Sequence, residues 1–418
     1  MGKKMHDVIY RRKNCRGCAS LDLELVFSLR PSPIGDAYVT YEKINEVQPS
    51  YPIDLYMCQN CGLAQLMDVI DPDILYGEYI YITASSPDLS AHFQHYADSV
   101  IDCCKLKLSS LVVDIGSNDG TLLRHFKQRG MNVLGIEPAT DIAAQATVAG
   151  IMSIDEFFTP NLAKQVINEY GYAKLITANN VFANIDDLVS WVNSINILMA
   201  DDGVFIFESY YLADLLQNMV FDFIYHEHLS AFSVRPMQAL FQRLNLELFA
   251  VERVATKGGS LRYFVQRSGG PFIKDGTVLK MLAFEENIGL YNKKIFIDFN
   301  NSINNLKNET KKFLAKVKHE GMTVAGFGAS VTGTTLIYHF EIGGYLDYLV
   351  DDNTSKHNRF SPGLHLPVFP SSVLSERQPD YVIILAWRFA EIIISKNQEY
   401  LEGGGKFLIP VPAFRVVT

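Results

Sequence analysis

Short apolar runs alternate with stretches of helical spacing across the middle of the chain, and this alternation limits the fold more than any other feature. The runs at 111–115, 132–136, 174–178 and 203–208 read as strands, and 120–128, 141–149 and 185–199 as helices. A strand buried on both faces is apolar throughout, and parallel neighbours need a crossover helix between them. The pattern therefore predicts an α/β fold with a parallel sheet covered by helices. A helix at 90–105 precedes it. A long helical stretch at 277–318 leads to a second set of strands at 322–326, 345–350, 381–386 and 406–409. The 418 residues divide into three expected domains, 1–80, 81–270 and 271–418.

Composition narrows the function classes. Hydrophobic residues make up 48% and charged residues 20%, a globular balance. The net charge of −9 and the lack of any extended Lys/Arg run give no nucleic-acid footprint. No apolar stretch approaches the roughly 20 residues that span a bilayer, and the first 16 residues are polar and basic. A cytoplasmic protein is expected.

Cys15-x-x-Cys18 and Cys58-x-x-Cys61 are separated by 39 residues. A C-x-x-C turn lets two thiolates reach one tetrahedral ion, and two such turns complete a four-sulfur zinc site. Four thiolates leave no position for substrate, so this zinc would stabilise the fold without entering the chemistry. A redox pair is the alternative, and the second pair argues against it. Cys103 and Cys104 fall in a helical pattern and read as packing residues.

Asp114-Ile-Gly116-Ser-Asn118-Asp-Gly120 follows the first strand and opens a helix. Glycines 116 and 120 are expected to let the backbone approach a ligand. About twenty residues on, Glu137 ends the next strand, where a carboxylate can accept the ribose hydroxyls of an adenosine. The spacing departs from the dinucleotide pattern G-x-G-x-x-G and resembles motif I of the class I methyltransferases. That resemblance implies a Rossmann-like domain binding S-adenosylmethionine, with Asp155 near the adenine and Asn179 near the methionine part.

The most distinctive segment is Tyr225-His226-Glu227-His228. His226 is expected to point away from His228 and reads as structural. No H-E-x-x-H is present to make it a metal site. With the paired knuckles before it and Gly326-Phe-Gly328-Ala-Ser330 after it, the whole chain resembles the sugar C-methyltransferases, which act on nucleotide-linked 4-keto-deoxysugars. The resemblance implies that His228 is the base and that Glu227 and Tyr225 hold the sugar or orient the base. It also implies that a tyrosine near the end of the zinc block reaches the site: Tyr79, with Tyr81 as its rival. Methylation is then expected at C3 of a 4-keto-6-deoxysugar. The residue types suit that chemistry in their own right. A neutral imidazole can remove a hydrogen next to a ketone when the enolate oxygen is stabilised, and a tyrosine can donate to that oxygen.

Lys257, Ser260 and Arg262, in Lys-Gly-Gly-Ser-Leu-Arg, are further candidates for substrate contact. In the last block, a second Rossmann-like unit, Gly328 and Ser330 stand at a helix start able to hold a phosphate. Asn353, Lys356, Arg359 and His365 supply polar and cationic groups for a diphosphate. Asn184, Thr332 and Lys257 depart from the family pattern, where histidine, lysine and histidine are common, and leave the sugar and nucleotide open. The competing readings are an O- or N-methyltransferase, a nicotinamide-dependent oxidoreductase using the last glycine-rich loop, and a zinc-knuckle binding protein. The intact Asp114–Gly120 loop and Glu137 speak against the last.

Overall fold

The computed structural model describes residues 8–76 and 87–418. Its centre is a seven-stranded sheet in the order Leu246–Val254, Ser260–Arg267, Met199–Tyr210, Ala173–Thr177, Leu111–Ile115, Asn132–Ile136, Ser153–Ile154. The last five are parallel, as the alternation predicted, and the first two add on antiparallel. Both faces are apolar: Val112, Val113, Leu175, Ile176, Phe205 and Ile206 are fully buried. The chain leaves Leu111–Ile115 for Asn132–Ile136 on one side and returns to Ala173–Thr177 on the other. That reversal opens a crevice beyond the strand ends, where open α/β sheets bind ligands.

The antiparallel pair Leu246–Val254 and Ser260–Arg267 was not expected. Its strands mix Glu and Arg with apolar residues, because Glu252 and Arg262 form a cross-strand ion pair at 2.8 Å. The predicted 277–318 helix is two helices, Thr277–Asn287 and Lys293–His319. They are divided at Gly289, whose φ of +66° breaks the spiral. Asn292 caps the second helix by accepting from the Lys294 amide.

The second parallel sheet runs Val368–Pro370, Tyr348–Asp351, Val324–Phe327, Tyr381–Ile384, Lys406–Ile409, with Arg415–Val417 antiparallel at one edge. The cysteine-bearing segment forms a four-stranded antiparallel sheet, Leu23–Ser32, Tyr51–Cys58, Ala64–Leu66 and Ser230–Ala231. The fourth strand is lent by the segment directly after His228. The cysteine-bearing sheet also leans on the second α/β unit. Gly35 lies where a Cβ would come within 2.7 Å of Val331, and its carbonyl accepts from Thr334 at 2.9 Å. Among the described residues, no helix is long and apolar enough to cross a membrane.

Candidate active site

A cavity of about 260 Å³ fills the crevice, walled by Asp114, Gly116, Asn118, Glu137, Asn179 and Lys257 among others. The Glu137 carboxylate accepts from the amides of Asn118 and Ala139, both at 2.9 Å, which pins the glycine loop to the end of the next strand. Asp114 accepts from the Thr177 hydroxyl at 2.6 Å. Burial pushes Asp114 up to about 7 and raises Glu137 too. Two buried polar atoms on the wall have no protein partner: Ser117 Oγ and Asn184 Oδ1. Such atoms are satisfied by a polar ligand.

Two expectations about this loop need correction. Gly116, at φ +70°, does line the cavity, but Gly120 does not. A Cβ on Gly120 would meet Ile151 at 2.9 Å, so this glycine allows close packing at the helix start instead. Asp155 is exposed and absent from the wall, which is formed by Glu156, Phe157 and Phe158. The chain bends just after the two-residue strand Ser153–Ile154 and brings those three residues over the cavity.

The Tyr225–His228 segment is a turn and not a strand. The His228 amide donates to the Tyr225 carbonyl at 2.9 Å. His226 goes to the cysteine-bearing sheet, where its Nε2 donates to the Tyr51 carbonyl at 3.2 Å. The two histidines diverge, and it is the turn that parts them, since an extended segment would have put residues two apart on one face. His228 Nδ1 lies 2.7 Å from the Phe223 carbonyl, which can only accept, so the proton sits on Nδ1. Nε2 keeps its lone pair and stands 2.9 Å from the Tyr225 hydroxyl. Tyr210 stacks on the ring at 4.8 Å. Burial lowers the imidazole pKa to about 3, with the Lys257 charge adding to the effect, so the ring is neutral at ordinary pH. Glu227 is pushed up to about 8 by burial, helped by Asp36. Lys257 is lowered to about 8 by burial. Its backbone is left-handed at φ +54°, in a tight turn where the Gly259 amide donates to the Thr256 carbonyl at 2.9 Å. Tyr79 and Tyr81 lie outside the described residues.

The cysteine cluster is compact. The four Sγ atoms lie within 4.8 Å of one another, with Cys15–Cys61 at 3.6 Å and Cys18–Cys58 at 3.5 Å. Zinc–sulfur bonds of about 2.3 Å put tetrahedral sulfurs about 3.8 Å apart, so the set fits a zinc ion with shifts of no more than about 1 Å.

The remaining candidates are scattered. Arg262 is turned into the protein: its guanidinium pairs with buried Glu208 at 2.7 Å and lies 4.2 Å over the Tyr96 ring. The Ser260 hydroxyl donates to the Thr256 carbonyl at 3.1 Å. These two shape the sheet edge and do not offer free groups to a substrate. Gly328 is at φ +115°, and the Ser330 hydroxyl caps the next helix by accepting from the Gly333 amide at 3.1 Å. Asp351 accepts from Ala329 at 2.6 Å and from Asn353 at 2.7 Å, the arrangement that Glu137 has in the first unit. The Asn353 side chain caps the Ser355 amide. Lys356 is buried against Asp36, with Nζ 4.3 Å from the Tyr38 ring, so it braces the cysteine-bearing sheet. Arg359 and His365 are half-buried, and His365 Nε2 is buried without a protein partner.

Comparison with known proteins follows this three-part order. A zinc binding domain model matches residues 15–76, a methyltransferase domain model 90–251, and a model described as the C-methyltransferase C-terminal domain 255–412. The C-methyltransferase NovU of Streptomyces niveus is 30% identical over 415 residues, covering 99% of both chains. The chain belongs to the C-methyltransferase family. Solved structures that resemble part of it include PH0226 protein from Pyrococcus horikoshii, 13% identical with a TM-score of 0.37 over 46% of this chain and 97% of that one. Another is the magnesium protoporphyrin IX methyltransferase of Synechocystis with bound SAH, 15% identical with a TM-score of 0.34 over 46% and 91%.

The C-methyltransferase uses S-adenosylmethionine, and its cysteine cluster is a zinc site. The cavity suits that cofactor: Glu137 stands on its wall, where a carboxylate can accept ribose hydroxyls, and the orphaned polar atoms of Ser117 and Asn184 await partners. Sequence reasoning missed Trp191 and Asp186 on the wall, and Arg388, which pairs with Asp222 just before the Tyr225–His228 turn. The signal for Trp191 was its place in a predicted helix near Asn179. Arg388 carried none, lying 166 residues from its partner.

Proposed function

We propose that this C-methyltransferase methylates C3 of a nucleotide-linked 4-keto-6-deoxysugar in the cytoplasm. In this reading residues 1–80 carry zinc, 81–270 the cofactor and 271–418 the nucleotide. The observation that carries it is the unprotonated Nε2 of His228, left as an acceptor by the proton on Nδ1 and within the electrostatic reach of Lys257 on the cavity wall. His228 Nε2 takes the C3 hydrogen, and the C–H electrons move toward the C4 oxygen. The cofactor supplies an electrophilic methyl group to the resulting enolate carbon. Lys257 meets the oxyanion, and Tyr225 holds the imidazole through its one hydroxyl proton until the sugar arrives, when that proton turns to the sugar. Glu227, protonated near neutral pH, serves as a hydrogen-bond donor to the sugar. Tyr79 is assigned to the same site. Asp114, Asn118, Glu137 and Asn179 hold the cofactor. Gly328, Ser330, Arg359 and His365 line the approach for the diphosphate, with Asn353 and Lys356 holding that region in shape.

The test is product analysis with S-adenosylmethionine and a 4-keto-6-deoxy nucleotide sugar, comparing the native chain with His228→Asn. The native chain is expected to give a carbon-bound methyl. The variant should lose turnover by about 1,000-fold or more, within the range for a general base, while binding S-adenosylhomocysteine normally. Full turnover in His228→Asn would remove the base assignment.

A further inference from the structure

Arg16 sits inside the first zinc knuckle, between Cys15 and Cys18, yet its side chain points away from the sulfurs and is 2% exposed. Its Nε reaches Asp186 Oδ1 at 2.8 Å. Arg12 Nη1 binds the other carboxylate oxygen at 2.9 Å and the Asp186 carbonyl at 3.1 Å, and the Tyr10 hydroxyl donates to the same carboxylate. Asp186 is on the wall of the cofactor cavity, two residues after Asn184, whose buried Oδ1 has no protein partner. The Arg16 amide is tied to Gln65 at 3.0 Å, so the guanidinium is held at its base by the cysteine-bearing sheet.

A two-sided clamp with one fully buried guanidinium on a part-exposed carboxylate fixes a loop more firmly than a surface ion pair. We propose that the zinc knuckle positions the cofactor site: Arg16 and Arg12 hold Asp186, and so hold the 184–186 segment in the geometry that receives S-adenosylmethionine. Zinc occupancy and cofactor affinity are then thermodynamically coupled, and the coupling is reciprocal. Zinc fixes the knuckle that carries Arg16, and bound cofactor stiffens the wall that Asp186 belongs to. Arg16 and Asp186 are positioning residues, since neither reaches the reacting atoms. The inference rests on reading this cavity as the cofactor's.

The experiment measures S-adenosylhomocysteine affinity by calorimetry on the full zinc-loaded chain, with Asp186→Asn, Arg16→Gln, the double variant, and Glu137→Ala as a check on the cavity. Metal content is measured for each. Asp186→Asn is expected to weaken binding about tenfold with zinc at full occupancy. Arg16→Gln should do the same, and the double variant should be no weaker than the poorer single one. Saturating S-adenosylhomocysteine should slow zinc transfer to a chromophoric chelator several-fold in the native chain and not in Asp186→Asn. If Arg16→Gln does not fold, Asp186→Asn and the zinc-transfer rate decide alone. Native affinity in Asp186→Asn, or zinc transfer indifferent to ligand in the native chain, overturns the clamp. Native affinity in Glu137→Ala would instead overturn the assignment of the cavity.

Discussion

His228, Glu227 and Lys257 are three titratable groups whose surroundings move them far from their usual values, and the charges interlock. His228 is neutral, Glu227 protonated and Lys257 charged below about pH 8. As pH rises through 8, Lys257 loses its charge and Glu227 gains one. Positive potential beside the enolate oxygen is lost twice over, so kcat is expected to fall above pH 8 in a pH–rate profile. Lys257→Met should lower kcat about 100-fold at pH 7, the scale of removing one oxyanion donor, and flatten that alkaline fall. An unchanged kcat would take Lys257 out of the account. At this scale the sequence was readable where chemistry and position coincide. Glu137 stands at the end of a strand, and four cysteines stand in two close pairs. It was silent on the partners of Arg262, a candidate for substrate contact, because Glu208 and Glu252 lie on two neighbouring strands.

The element that matters most is the turn carrying His228, because it is held from both ends by other parts of the chain. Before it, Asp222 is fully buried and accepts from Arg388 at 2.9 Å and from the Trp387 ring nitrogen at 3.1 Å. After it, Ser230–Ala231 pairs with Ala64–Leu66 of the cysteine-bearing sheet, and the Leu66 amide donates to the Leu229 carbonyl at 2.9 Å. Removing one partner of a buried pair leaves an uncompensated charge. Arg388→Met should therefore destabilise the fold by about 3 kcal/mol, and Asp222→Asn in the same chain should recover much of it. Denaturant midpoints of the native chain and the two variants check this; a native midpoint in Arg388→Met would mean that Arg388 contributes nothing. The predicted parallel strands and their helices were legible because hydrophobic periodicity is a local signal. This turn was not. Its shape depends on Arg388 and on a borrowed sheet edge, both remote in sequence.

For the molecule as a whole, the active site lies where three sheets meet, and the cysteine-bearing sheet touches both others. Lys356 of the last unit pairs with Asp36, and Arg16 reaches Asp186. Zinc is then a condition for assembling the site. A strong chelator is expected to abolish methyl transfer in parallel with zinc loss, with the lost activity tracked by metal analysis. Activity persisting in zinc-free protein would contradict this. The order of the three parts could be read from the sequence, since each carries its own pattern. How they converge could not, because the contacts join residues well over a hundred positions apart.

The central claim, carbon methylation through an enolate, is tested most directly by proton NMR of a 4-keto-6-deoxy nucleotide sugar with the enzyme in deuterated water, before and after S-adenosylmethionine is added. The account predicts loss of a C3 hydrogen signal through exchange, followed by a new methyl resonance on carbon. A methyl on oxygen or nitrogen, with the C3 hydrogens retained, would contradict it.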